Sequence, residues 1–205
     1  MFVVTIDQKA SRSRGDGVPG LLRDVDSWTG GRTPFALPLE RTVGDEVQGV
    51  LTEAAATVAL ALHVQRLGGW SVGIGAGPVD LPLAGTSRES SGPAFIHART
   101  AVERARGRTV TVPLAVDAPR PDRAEDAEAV LQMLVAVRNR RTRAGWDVVD
   151  RLAGGATQRA VAADLGISEQ AVSQRLRVAL WEEERRLHPL AARLLEESGS
   201  AGAPA

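Results

Sequence analysis

The sequence predicts an α+β domain over residues 1–117, a linker at 118–122 and an all-helical domain over 123–197. Three observations carry this expectation. Strand-like and helix-like patterns alternate as far as residue 117, and Pro119 and Pro121 then favour extended chain. Beyond them every apolar pattern has helical spacing. A chain of 205 residues, 43% apolar and 24% charged, has globular composition and enough apolar surface for a core.

Residues 2–6 are β-branched and aromatic, as a buried strand requires, and residues 18–28 carry a weak helical pattern. Residues 38–51 read as two strands joined at Gly44-Asp45, a hairpin signal. In residues 53–67, Ala56, Leu60, Val64 and Leu67 share one helix face, and Gly68-Gly69 ends the helix. Residues 70–74 form a further strand, and Phe95, Ala98, Val102 and Ala105 line a second amphipathic helix. Residues 110–116 supply a last strand. The order is βαββαβ plus one strand, the split-βαβ, ferredoxin-like pattern.

After the linker, residues 124–137 are apolar on most sides, so the helix must be covered on most sides. It either bridges the two domains or pairs with its copy in a dimer. Residues 146–152 form the next helix, two short helices flank Gly166, and a helix runs from Ala171 towards Leu187. Residues 198–205 are small and polar, as in a disordered tail.

Composition excludes several classes of chemistry. There is no cysteine, hence no disulfide, thiolate metal site or cysteine nucleophile, which suits a reducing cytoplasm. His63, His97 and His188 lack metal-ligand spacing. No apolar run reaches the roughly 20 residues of a membrane span, so a soluble, cytoplasmic protein without a membrane partner is expected. Basic and acidic side chains number 25 each, so no global charge points to a polyanion.

Locally the picture differs. Residues 158–177 read QRAVAADLGISEQAVSQRLR, and this stretch meets the steric demands of a helix-turn-helix. Ala162 is small where two helices would cross, and Gly166 tolerates positive φ in the turn. Val161, Leu165, Ile167, Val172 and Leu176 fall at core positions, and Ser168 can cap the second helix. That leaves Glu169, Gln170, Ser173, Gln174 and Arg177 on the outer face, where glutamine suits adenine and arginine suits guanine. Between Arg138 and Arg177 eight arginines stand against four acids, a net of +4. Arg138, Arg140, Arg141 and Arg143 precede the unit, where DNA phosphates would be met. Ser168, Arg141 and Arg143 therefore join the candidate DNA contacts. The plain alternatives are that the unit serves protein–protein packing alone or that the arginines form an ordinary solvated face, and core packing is the natural reading of Trp146 and Trp181. The unit resembles the fourth region of sigma factors and the helix-turn-helix of response regulators over about forty residues.

The first half carries a second candidate site. Arg41-Thr-Val-Gly-Asp-Glu-Val-Gln-Gly-Val50 places an acidic pair at the hairpin tip, and Asp7 closes the first strand. If those strands are neighbours, Asp7 and Asp45 converge at one end of the sheet and could hold Mg²⁺. The plain alternative is that Gly44-Asp45 serves the turn alone. Gly73, Gly75 and Gly77 sit within and just after a strand, so close packing explains them better than a phosphate loop. His97 could reach an active-site mouth but reads better as structural, and residues 87–91 could touch a ligand's phosphate but read better as a plain polar loop.

The hairpin and Val72-Gly-Ile-Gly-Ala-Gly-Pro-Val79 together resemble the catalytic domain of class III nucleotide cyclases and, more distantly, GGDEF-type diguanylate cyclases. The resemblance implies metal binding at Asp7 and Asp45 and nucleotide contacts from Arg41, in place of a lysine, and from Arg99. It also marks departures, since Phe95 stands where the family has an asparagine and Gly92 where it has an acid. The chain from residue 1 to about 187 resembles the SatD-like family, which joins a cyclase-like domain to a helix-turn-helix. The expectation is thus a homodimeric DNA-binding protein acting on double-stranded DNA, a bacterial transcriptional regulator. Its degenerate cyclase-like domain would be a sensor or dimeriser, with Mg²⁺ and a nucleotide as possible ligands. The alternative is a Mg²⁺-dependent nucleotide-processing enzyme with a DNA-binding locator.

Overall fold

The computed structural model describes residues 1–11, 15–30, 34–107 and 109–200. The chain is mixed α+β, with one five-stranded sheet and, among the described residues, eight helices. Strands β1 (Phe2–Gln8), β2 (Phe35–Arg41), β3 (Glu46–Leu51), β4 (Trp70–Ala76) and β5 (Leu114–Asp117) lie in the order β2-β3-β1-β4-β5. All neighbours are antiparallel except β4 and β5. Pro38 sits on the edge strand β2, where a missing N–H is tolerated, and a register shift between Leu37 and Glu40 spans it. The β2–β3 connection turns through Gly44 at φ +60°, as the hairpin signal required.

Period-two alternation along β1 divides the sheet into two faces. Phe2, Val4 and Ile6 belong to the main core, whereas Val3 packs with Val50 and Ala98 on the other side. Helices α1 (Val18–Thr29), α2 (Ala54–Leu67), α4 (Pro121–Asn139) and α8 (Trp181–Gly199) contribute to the main core. Helix α3 (Pro93–Ala105) takes the opposite face and lies directly over β4. Gly73 and Gly75 permit this approach: a Cβ on either would come within 2.2 Å of the α3 backbone. Close packing is therefore the role of these two glycines.

The remaining helices, α5 (Arg143–Ala153), α6 (Gln158–Leu165) and α7 (Glu169–Val178), enclose a separate small core. Its buried members include Val148, Val149, Val161, Ala162, Val172 and Leu176.

Packing corrects the expected boundaries. The main core runs straight across 118–122, because Leu131 and Leu134 of α4 and Leu194 and Leu195 of α8 belong to it. Within the all-helical stretch, α5–α7 are thus a three-helix insertion between α4 and α8 of the α/β core. The apolar sides of α4 are covered within the chain by α8, β5 and α2. Its polar side chains also close the free edge of β5: Val116 N donates to Glu128 Oε2 (2.8 Å) and Gln132 Nε2 to Leu114 O (2.9 Å).

Three further boundaries move. The last strand begins at Leu114, since Pro113 has no N–H for the ladder. The helix expected from Ala171 to Leu187 breaks at Leu180, whose φ of +51° starts α8. Ser198, expected in a tail, is buried, its hydroxyl donating to Leu195 O at 2.7 Å, while 201–205 lie outside the described residues. Among the described residues no helix is long and apolar enough to cross a membrane.

Candidate functional site

Two places bring the singled-out residues together. The first is the end of the sheet. Antiparallel register sets Asp7 opposite Glu46 on one side and Ser71 on the other. The hairpin tip is held close by Gln8 N, which donates to Asp45 O at 3.4 Å. Asp7 and Asp45 therefore converge as expected, and with Gln8, Lys9, Ser71 and Arg106 they line a cavity of about 490 Å³.

Asp7 is only 5% exposed. Burial pushes its carboxyl up from the ordinary value; Asp45 and Glu46 add to this, and Arg106 opposes it. Arg106 Nε lies 3.1 Å from Asp7 Oδ2. Ser71 Oγ is buried with no hydrogen-bond partner among the described residues. Both Arg106 and Ser71 escaped sequence reasoning. Arg106 falls one residue beyond the amphipathic pattern of α3, and the serine looks like any inward position of a strand.

The two arginines expected here lie elsewhere. Arg41 is bound to Asp16 at 2.6 Å and donates to Gly44 O at 2.8 Å. Arg99 is 72% exposed at its side chain and pairs with Glu103 at 3.3 Å along its own helix. Neither lines the cavity. Among the described residues no group of three or more His, Cys, Asp or Glu could hold a metal ion. With a guanidinium already on Asp7, the residues present do not fit a two-metal centre, and no metal-dependent step follows from them.

His97 Nδ1 lies 2.6 Å from Asp117 Oδ2 across the α3–β5 junction, and His97 does not line the cavity.

The second place is the three-helix unit. Helix α6 starts at Thr157, whose hydroxyl accepts Ala160 N, and stops at Gly166 with φ +63°. Ser168 then caps α7, accepting Ala171 N at 3.1 Å. Val161, Val172 and Leu176 are buried as expected, while Leu165 and Ile167 are partly buried against them. Ser168, Glu169, Gln170, Gln174 and Arg177 are exposed. Ser173 is half-buried and donates to Gln158 Oε1 at 2.9 Å, which ties α7 to α6. Arg177 Nη1 donates to Gln174 Oε1 at 3.1 Å, so these two side chains form one polar surface.

Of the expected phosphate contacts, Arg143 is exposed at the start of α5. Arg141 is not. Its side chain is wholly buried, paired with Glu184 and donating to Ala179 O at 2.8 Å. Its guanidinium also stands 4.4 Å from the centre of the Trp146 ring. A guanidinium so engaged ties the α4–α5 connection to α8 and is withdrawn from the surface where DNA phosphates would lie, which corrects the sequence expectation. The arginine pattern resembled a basic patch because sequence alone does not show which arginines face inward.

No family model, curated protein or solved structure matches this chain.

Proposed function

We propose that the protein binds double-stranded DNA in a sequence-specific manner, as a bacterial transcriptional regulator. In this reading α5–α7 are a helix-turn-helix domain, and α7 is the recognition helix entering the major groove. The observation that carries it is the exposed row Gln170, Gln174 and Arg177 on a helix whose start is fixed by a left-handed glycine and a serine cap. Glutamine and arginine are the side chains that make bidentate bonds to adenine and guanine edges. Arg143, with exposed Arg140 beside it, supplies positive charge for the backbone.

The strand order and the βαββαβ succession support a ferredoxin-like reading of the first half. With Asp7 and Asp45 converging, they also support kinship with cyclase-like and SatD-like proteins. That half then acts as a sensor or dimeriser. A dimer would place two recognition helices on half-sites about one DNA turn apart.

A nucleotide-processing enzyme is the second reading, favoured by the cavity at Asp7 and Asp45 and weakened by Arg99 lying outside it. Selection of bound fragments from a genomic DNA pool separates the two. Enrichment of one short two-fold-symmetric site supports the regulator. No enrichment, together with pyrophosphate release from ATP or GTP, supports the enzyme.

A further inference from the structure

A second cleft, of about 860 Å³, lies where the three-helix unit meets the α/β core. Its walls come from the end of α1, from α2, α5 and α8, and from the last turn of α4. The size is that of a small-molecule site. Of its lining, the sequence pointed to Arg138 and Arg141 only as DNA-phosphate contacts.

Charge is concentrated in it, with Arg66, Arg138 and Arg141 set among Glu53, Asp150 and Glu184. The buried carboxylate of Glu184 pairs with Arg141, lies 3.4 Å from Arg138 Nη1 and 3.3 Å from His188 Nε2. One anion thus serves two guanidiniums and an imidazole. The Arg141 side chain is 0% exposed, and its Nε and Nη1, like Arg138 Nε, have no hydrogen-bond partner among the described residues. Buried donors on charged groups are costly to leave unpaired, so Arg138, whose side chain still reaches the cleft, favours a further anion. Aromatic planes accompany the charge. Trp28 stacks on His63 at 4.5 Å, and Trp146 carries the Arg66 guanidinium 3.6 Å from its ring centre. All four of these side chains line the same cleft.

We propose that this cleft binds an organic anion bearing a planar ring, whose phosphate or carboxylate group pairs with Arg138 and Arg66 while the ring lies against Trp28. The cleft touches both halves of the molecule. Arg66 on α2 already grips the Asp150 carboxylate on α5 through both terminal nitrogens, at 2.6 and 2.7 Å. A ligand bound beside that pair contacts core and insertion together, and so favours one placement of α7 over others. This regulatory consequence rests on the DNA-binding reading; the site itself does not.

The test uses the full chain, isothermal titration calorimetry and tryptophan fluorescence. Adenosine monophosphate and salicylate present a ring with a phosphate or a carboxylate; inorganic phosphate and adenosine present one part each. At least one of the first pair should bind, change the fluorescence, and do so at least tenfold more tightly than either partial probe. Arg138→Gln should weaken that binding tenfold or more, and Arg66→Gln, on the more exposed wall, serves if the first variant does not fold. Absence of binding by both ring anions at millimolar concentration overturns the proposal, as does binding that Arg138→Gln or Arg66→Gln leaves unchanged. If a ring anion binds in this way but no DNA site is enriched, the cleft stands and the DNA-binding reading fails.

Discussion

Arg106 holds its Nε 3.1 Å from Asp7 Oδ2, although one residue follows a helix and the other sits near the end of a strand. The pair does not cancel the cost of burying Asp7, whose carboxyl stays above its ordinary value, through burial first and then Asp45 and Glu46. A carboxyl raised in the folded state binds its proton more tightly there than in the unfolded chain. Its contribution to stability is therefore full below the ordinary carboxylate range and is lost as pH rises through the raised value. Asp7→Asn should raise the thermal midpoint at pH 7, and the gain should shrink as pH is lowered towards 4. A variant less stable than the parent at pH 7 would show that Asp7 is a structural ion-pair partner and carries no such cost.

The approach of α3 to β4 gives a sharper expectation. A Cβ at Gly73 would stand 2.2 Å from Val102 N, and one at Gly75 would stand 2.1 Å from Ala94 O. Backbone cannot yield as a side-chain tip can, so Gly73→Ala or Gly75→Ala must lift the helix from the sheet. Each should cost about 3 kcal/mol or more in urea unfolding. Gly85→Ala, with open space around its Cβ, should stay within about 0.5 kcal/mol.

Much of this architecture was legible because local rules and tertiary packing agree. The Gly44 turn, the Gly68-Gly69 stop and the Ser168 cap each rest on backbone sterics that a few residues decide. The convergence of Asp7 and Asp45 was legible too, given the inference that the first strand and the hairpin are neighbours. What stayed hidden depends on contacts distant in sequence. Nothing near Ser198 announces that Leu194 and Leu195 return to the sheet core, and nothing near Arg141 announces that Glu184 awaits it. The double proline before α4 suggested a linker because Pro119 and Pro121 favour extended chain, yet Pro121 opens the helix at a position where its missing N–H is harmless.

The Arg141–Glu184 pair should therefore dominate the stability of the joint between the α4–α5 connection and α8. Burial pushes the Glu184 carboxyl up, but His188, Arg141 and Arg138 outweigh it and hold the carboxyl below its usual range. A group depressed in this way stabilises the fold above its ordinary value and loses that contribution as pH falls through the depressed one. Arg141→Met should cost roughly 3–5 kcal/mol at pH 7, because it removes one partner of a buried charge pair. The cost should fall when the pH is low enough to protonate Glu184. Denaturant titrations at several pH values read both effects. Exposed Arg143→Ala should leave stability within about 0.5 kcal/mol.

The proposed recognition surface carries the last prediction. Gln174 and Arg177 share a hydrogen bond and are exposed on α7, so base-edge contacts from them would be coupled. Each alanine substitution should cost roughly 1–3 kcal/mol of discrimination between the selected site and a scrambled one. The double variant should cost less than the sum, since removing either partner already frees the other. Arg143→Ala should act differently, weakening binding to both sequences alike and lowering the salt slope by about one ion. Measuring affinity for both duplexes at two or more salt concentrations separates these outcomes. If Gln174→Ala and Arg177→Ala lower both affinities equally, α7 meets only the backbone. The bases would then have to be read by side chains outside this pair.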